Sequence, residues 1–221
     1  MPATAATLTL LIPFLFTLSH STKFTITNQC PYTLWPASIP PAAQKLSPNQ
    51  TWTLNIPSNS TGSIWARTNC TFGPTGHGSC STGDCSGLFL CKSHGSSPTT
   101  IAEFALNQFG GQDFFDISLV NGFNVPMVFG PTATGCRKTR CTGDILGNCP
   151  SELRVDGGCD SPCDVFKTEE YCCSSGSCGP TNYSQFFKMY CPEAFSIPAP
   201  DGGASTLTCK SGTDYVLVFC P

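Results

Sequence analysis

Sixteen cysteines in a chain of 221 residues, all beyond position 29, carry more potential chemistry than any other residue type here. Thiolates at this density can bind zinc, attack electrophiles or close disulfides. An even count at irregular spacing points to disulfides, which persist only in an oxidising compartment. That compartment argues against zinc, and no residue pattern calls for a metal or a cofactor. His77 and His94 are the only histidines past the N-terminal segment, and both lie in or beside the run Cys70 to Cys91. No G-x-S-x-G accompanies them, so a serine–histidine hydrolase has no support and both are expected on loop surfaces.

The N-terminal segment agrees with an oxidising destination. Residues 1–21 hold no Lys, Arg, Asp or Glu, and Leu8 to Leu18 is almost wholly apolar. With small Ser19 and Ser21 before the cut, this reads as a secretory signal peptide cleaved after Ser21. The alternative, an uncleaved anchor, is opposed by the shortness of the run and by Pro13. The ending VFCP leans towards the extracellular space over an intracellular store.

Charge narrows the partners. The net charge is −3 and charged residues make up 11% of the chain. No acidic residue precedes Asp84, whereas Asp144, Glu152, Asp156, Asp160, Asp164, Glu169 and Glu170 crowd one stretch. The only basic cluster, Arg137–Lys138–Arg140, sits between Cys136 and Cys141 and reads as a solvated loop tip. Without a basic stripe, nucleic acid is excluded as a partner, and adsorption to anionic lipid or stable membrane insertion is disfavoured.

The elements that must position any site read as strands. Abundant Gly and Pro with Thr, Phe and Val suit short strands and tight turns. From Lys23 to Arg67 the apolar residues alternate in short runs, which predicts a meander. Strand patterns return at 99–106, 114–120, 124–129, 206–209 and 214–220. The stretch Cys70 to Cys91, with five glycines and four cysteines, cannot pack a core and must be a cross-linked loop region. A second cysteine-rich segment runs from Cys136 to Cys191, with short helices expected near 166–172 and 183–190. The fold class is therefore mainly β: a β-sandwich body, residues 22–69, 97–140 and 192–221, with a small excursion at 70–96 and a larger one at 141–191.

At this point the motifs resemble a known family. GSCSTGDCSGLFLC (Gly78 to Cys91) is similar to the signature of the thaumatin family. NQCPYTLWPAS, WARTNC, DFFDISLVNGFNVPM, CPSELRVDGGC, EYCCSSGSCGPTNYSQFFK and the final VFCP extend the match over the mature chain. The resemblance is to plant thaumatin-like proteins of pathogenesis-related family 5, whose fold is a flattened β-sandwich. It implies eight disulfides: Cys30–Cys220, Cys70–Cys80, Cys85–Cys91, Cys136–Cys209, Cys141–Cys191, Cys149–Cys159, Cys163–Cys172 and Cys173–Cys178. Spacing alone leaves about two million pairings open.

The resemblance also implies an acidic cleft between the body and the larger excursion, binding β-1,3-glucan of fungal cell walls. Glu103 and Asp116 match the family's glutamate and first aspartate, and Asp201 matches the last aspartate more loosely. Two positions depart: Ser63 stands where the family has arginine, and Asn121 stands where it has aspartate. Arg67 is nearby but matches a different family arginine. Ser63 carries no charge, while Asn121 keeps hydrogen-bonding capacity without the negative charge. Glu103 and Asp116 are the candidates for glycoside hydrolysis, which requires about 5 to 5.5 Å between carboxyls for retention or about 6.5 to 9.5 Å for inversion. Phe114, Phe115, Phe123, Phe129 and Tyr190 could stack on sugars, although most should be core. Sequons at Asn49, Asn59, Asn69 and Asn182 make the protein a candidate glycoprotein, with Asn59 favoured. The implied function is that of a secreted, monomeric antifungal defence protein binding β-1,3-glucan, with weak endo-β-1,3-glucanase activity open. The alternative is an inhibitor of a hydrolase, an α-amylase or a protease, acting through a rigid disulfide loop.

Overall fold

The computed structural model describes residues 21–198 and 205–221. Residues 1–20, nearly all of the expected signal peptide, and Asp201 lie outside the described residues. Alternating apolar and polar side chains form β1 (Ser21–Asn28), which turns Phe24, Ile26 and Asn28 inward. It is followed by β2 (Ala37–Ile39), β3 (Ala42–Ala43), β4 (Thr51–Pro57), β5 (Thr61–Trp65) and a ribbon, β6 (Thr71–Phe72) with β7 (Gly78–Ser79). The hairpin β8 (Ile101–Gln108) and β9 (Gln112–Ser118) precedes β10 (Met127–Pro131) and β11 (Thr139–Cys141). Beyond Cys141 lie helix α1 (Ile145–Asn148), the ribbon β12 (Arg154–Val155) and β13 (Gly158–Cys159), and then α2 (Pro162–Phe166), α3 (Glu169–Cys172) and α4 (Asn182–Tyr190). Strands β14 (Leu207–Lys210) and β15 (Tyr215–Phe219) return to the body.

Two sheets face each other. One has the order β11-β10-β15-β1-β4, the other β14-β9-β8-β5-β2-β3. Rings from both meet between them: Phe24 of the first sheet lies 4.9 Å from Phe104 of the second, and Phe115 of the second packs edge-on to Phe129 and Tyr215 of the first. The first and last strands, β1 and β15, pair in parallel from Phe24 opposite Tyr215 to Asn28 opposite Phe219. Cys30–Cys220 closes the chain just beyond that pairing.

The fold is the mainly β sandwich that the sequence indicates, and all eight disulfides of the family pattern are formed. Two local expectations need correction. The segment 23–67 is not one meander: β1 pairs with β4 in one sheet, while β2, β3 and β5 belong to the other. Alternation identifies a half-buried strand but is the same whichever sheet the strand joins. The helix expected near 166–172 is interrupted, because Lys167 adopts a left-handed conformation (φ 54°) that closes α2 before Thr168 starts α3. Helix α4 begins where Thr181 and Ser184 form a reciprocal cap.

Bridge length separates the disulfides. Cys30–Cys220 closes 190 residues, whereas Cys173–Cys178 closes only five. In the loop-entropy model these are worth about 5 and about 2 kcal/mol respectively. Replacing both members of each pair with Ala should therefore lower denaturant stability more for Cys30–Cys220. An equal or smaller loss there would show that unfolded-state entropy is not what that bridge supplies.

Candidate functional site

Strand alternation assigns the acidic pair to one face. On β8, Ala102, Phe104 and Leu106 are buried between the sheets, so Ile101, Glu103 and Ala105 take the outer face. On β9, Phe115 and Ile117 point inward and Phe114 and Asp116 outward. The register places Glu103 directly opposite Asp116 and Ser63 directly opposite Glu103. With Ile39 opposite Ser63, a row of four side chains crosses β2, β5, β8 and β9.

The neighbouring outer row, Ala37, Trp65 and Ile101, is roofed by the Cys85–Cys91 loop, whose cysteines pack against it in a second apolar cluster. Where the roof ends, a cleft of about 430 Å³ opens, lined by Glu103, Asp116, Phe114, Thr61, Ile39 and His94 among others. No described lining residue comes from the larger cysteine-rich segment. Through His94 this cleft borders the small excursion.

Glu103 and Asp116 stand directly opposite each other on adjacent strands, within hydrogen-bonding reach. A hydrogen bond between two carboxyls requires that one of them carry a proton. Burial pushes Glu103 above the usual glutamate range, partly offset by the facing His94 and by the bond to Asp116. This arrangement offers acceptor oxygens to sugar hydroxyls.

Arg67 does not belong to this cleft. It is fully buried under the loop, with Nε donating to the Trp35 carbonyl (2.9 Å), Nη1 to Leu88 (2.7 Å) and Nη2 to Phe89 (2.9 Å). Its guanidinium also lies against the Phe72 and Phe89 rings. Burial lowers its pKa to about 10, opposed by Asp84. Arg67 therefore cannot stand in for the missing cleft arginine, because its planar fork is committed to three backbone carbonyls.

Ser63 is buried at 1% exposure, and its hydroxyl lies 3.3 Å from His94 Nδ1. So buried a hydroxyl, in mid-strand, is not presented as a nucleophile. Asn121 sits three residues past the end of β9, its carbonyl accepting from Thr99 N (2.7 Å) and Ser97 Oγ (3.0 Å), and it does not line the cleft at Glu103. Of the aromatic candidates, Phe115, Phe123 and Phe129 are core, Tyr190 packs against the core, and Phe114 reaches the cleft. The sequon asparagines Asn49, Asn59, Asn69 and Asn182 are all exposed, though the Asn69 amide donates to Ser81 Oγ. His94 is the cleft residue that sequence reading missed. Its only trace was proximity to Cys91, which gives no hint that the loop folds back over β5.

Fold and site together define a disulfide-clamped β-sandwich with an acid pair on the outer face of one sheet, beside a cross-linked loop. The chain belongs to the thaumatin family, whose model matches residues 28–221. It is 53% identical over 214 residues to a thaumatin-like protein of Actinidia deliciosa, covering 96% of this chain and 95% of that one. It is 50% identical over 222 residues to pathogenesis-related thaumatin-like protein 3.2 of Cryptomeria japonica, covering 95% of both. Among solved structures, the thaumatin-like xylanase inhibitor shares the fold with a TM-score of 0.52 at 24% identity, over 90% of this chain and 99% of that chain.

Arg67→Met should destabilise the protein by about 3 kcal/mol or more, since each buried carbonyl left unpaired costs about 1 to 3 kcal/mol. Faster amide exchange across residues 85–91 should accompany it, and a loss under about 0.5 kcal/mol would refute the anchoring role. Glu103 has a testable pH signature. Its raised native pKa means the folded state binds more protons above the usual glutamate range, so its contribution is favourable at low pH and is lost as pH rises through the native value. Glu103→Gln should flatten that fall in urea titrations carried upward from the usual glutamate range. An unchanged slope would remove Glu103 as its source.

Proposed function

We propose that this chain is a secreted plant defence protein that binds the β-1,3-glucan of fungal walls in the Glu103–Asp116 cleft without hydrolysing it. The observation that carries the reading is the acid pair, Glu103 directly opposite Asp116, in an open groove edged by Phe114. Carboxyl oxygens accept bonds from sugar hydroxyls, and an aromatic edge receives the apolar face of a pyranose. A relative at 50% identity that carries the pathogenesis-related name supports a defence role. Eight disulfides suit the apoplast, where reducing systems are absent and proteases are abundant.

A second reading rests on a separate observation. The Cys85–Cys91 loop presents Leu90 at 52% exposure on a backbone held by Arg67, a rigid apolar tip of the kind that can enter another protein's cleft. On that reading the protein inhibits a hydrolase through residues 85–91, and Leu90→Asp should abolish inhibition while leaving glucan binding unchanged.

The mature protein should sediment with insoluble β-1,3-glucan and release no oligosaccharides. Glu103→Gln and Asp116→Asn should each weaken binding by about tenfold or more, the scale of a hydrogen bond to a charged group. Full binding by both variants would move the site elsewhere. Sugar release that Glu103→Gln abolishes would make the pair catalytic.

A further inference from the structure

Among the described residues lining the cleft, His94 is the only one able to carry positive charge; the others are Ile39, Thr61, Gly62, Phe104, Ala105, Phe114 and the two acids. Its position is built. The ring stacks on buried Trp65, centroids 6.1 Å apart at 15°, and Nδ1 meets Ser63 Oγ at 3.3 Å. The chain around it is fixed on both sides. Cys91 is bridged to Cys85, and Gly95 is pressed so closely against the sheet that a Cβ there would lie 2.5 Å from both the Gly83 carbonyl and Trp65 Nε1. Ser96 N then donates to the Asp84 carbonyl at 2.7 Å. The ring is exposed, as a loop histidine is expected to be, yet its place is fixed.

Ser63 explains why the imidazole can occupy this place. A short side chain directly opposite Glu103 leaves room above the strand, and its hydroxyl orients the ring. An arginine at 63 would fill the same space from within β5.

We propose that His94 is the cation of the cleft, a positioning residue delivered by the disulfide loop instead of by the sheet. It faces the Glu103–Asp116 pair and holds Glu103 as an acceptor for a neutral glucan. The proposal rests on the glucan-binding reading of the same cleft and assigns its charge balance to the loop. The ligand class follows: an uncharged polyhydroxylated chain suits acids that a protonated His94 can balance, whereas a cationic glycan would compete with that protonated ring.

The test has two arms. Without glycan, the side-chain carboxyl signal of Glu103 is followed by NMR across pH in the wild type, His94→Gln and His94→Lys. The midpoint should rise in His94→Gln and return to or below the wild-type value in His94→Lys, a pattern that a packing defect would not produce. An unmoved midpoint in His94→Gln overturns the proposal. In the second arm, affinity for laminarin, a soluble β-1,3-glucan, should fall about tenfold in His94→Gln and recover to within about twofold in His94→Lys. Equal affinity in all three variants overturns it. If the midpoints shift as expected while the wild type fails to bind laminarin, the charge role of His94 stands and the glucan reading alone falls.

Discussion

The strand register between β8 and β9 is the constraint on which the site depends. Phe104 opposite Phe115 and Glu103 opposite Asp116 are consecutive pairs of one ladder, facing opposite sides of the sheet. The first pair is locked into the aromatic core with Phe24, Phe129 and Tyr215. A slip of one residue would drive both carboxyls into that core and expose the rings, at a cost far beyond marginal stability. Core packing therefore determines that the two acids meet.

Around that row, the small excursion acts as a roof. Its sequence has little apolar content, so it cannot hold its own shape, and three devices compensate. Disulfides close it at Cys70–Cys80 and Cys85–Cys91, Arg67 threads a guanidinium under it to satisfy carbonyls that would otherwise be buried unpaired, and Trp65 receives Gly95 and His94. The arginine contributes to the site through the backbone it holds, not through charge presented to a ligand. Local stiffness of this kind makes a loop residue such as His94 dependable as a site component.

Much of the fold was legible in the sequence for physical reasons. Alternation marked β1, β8, β9 and β15 because each has one face in the core, and the cysteines, once their motif was recognised, specified every bridge. Sheet membership in the segment 23–67 was not legible, because a half-buried strand has the same pattern in either sheet. Lys167 was unreadable as a helix break, since nothing about a lysine announces a left-handed backbone. In the site, Glu103 and Asp116 came from motif resemblance, and only the ladder shows them to be direct neighbours. The fate of Arg67 and the arrival of His94 depend on a long-range fold-back of residues 85–96 over β5, and no local pattern encodes such a contact.

The central claim is that the acid pair and the loop edge above it form a binding surface for β-1,3-glucan. The most direct measurement is a residue-resolved NMR titration of the isotope-labelled mature protein with a laminari-oligosaccharide. Saturable shifts should concentrate at Thr61, His94, Glu103, Phe114 and Asp116, with the sugar recovered intact. Shifts concentrated instead at the separate apolar pocket of Tyr32, Trp35 and Leu146, or cleavage of the sugar during the titration, would contradict it.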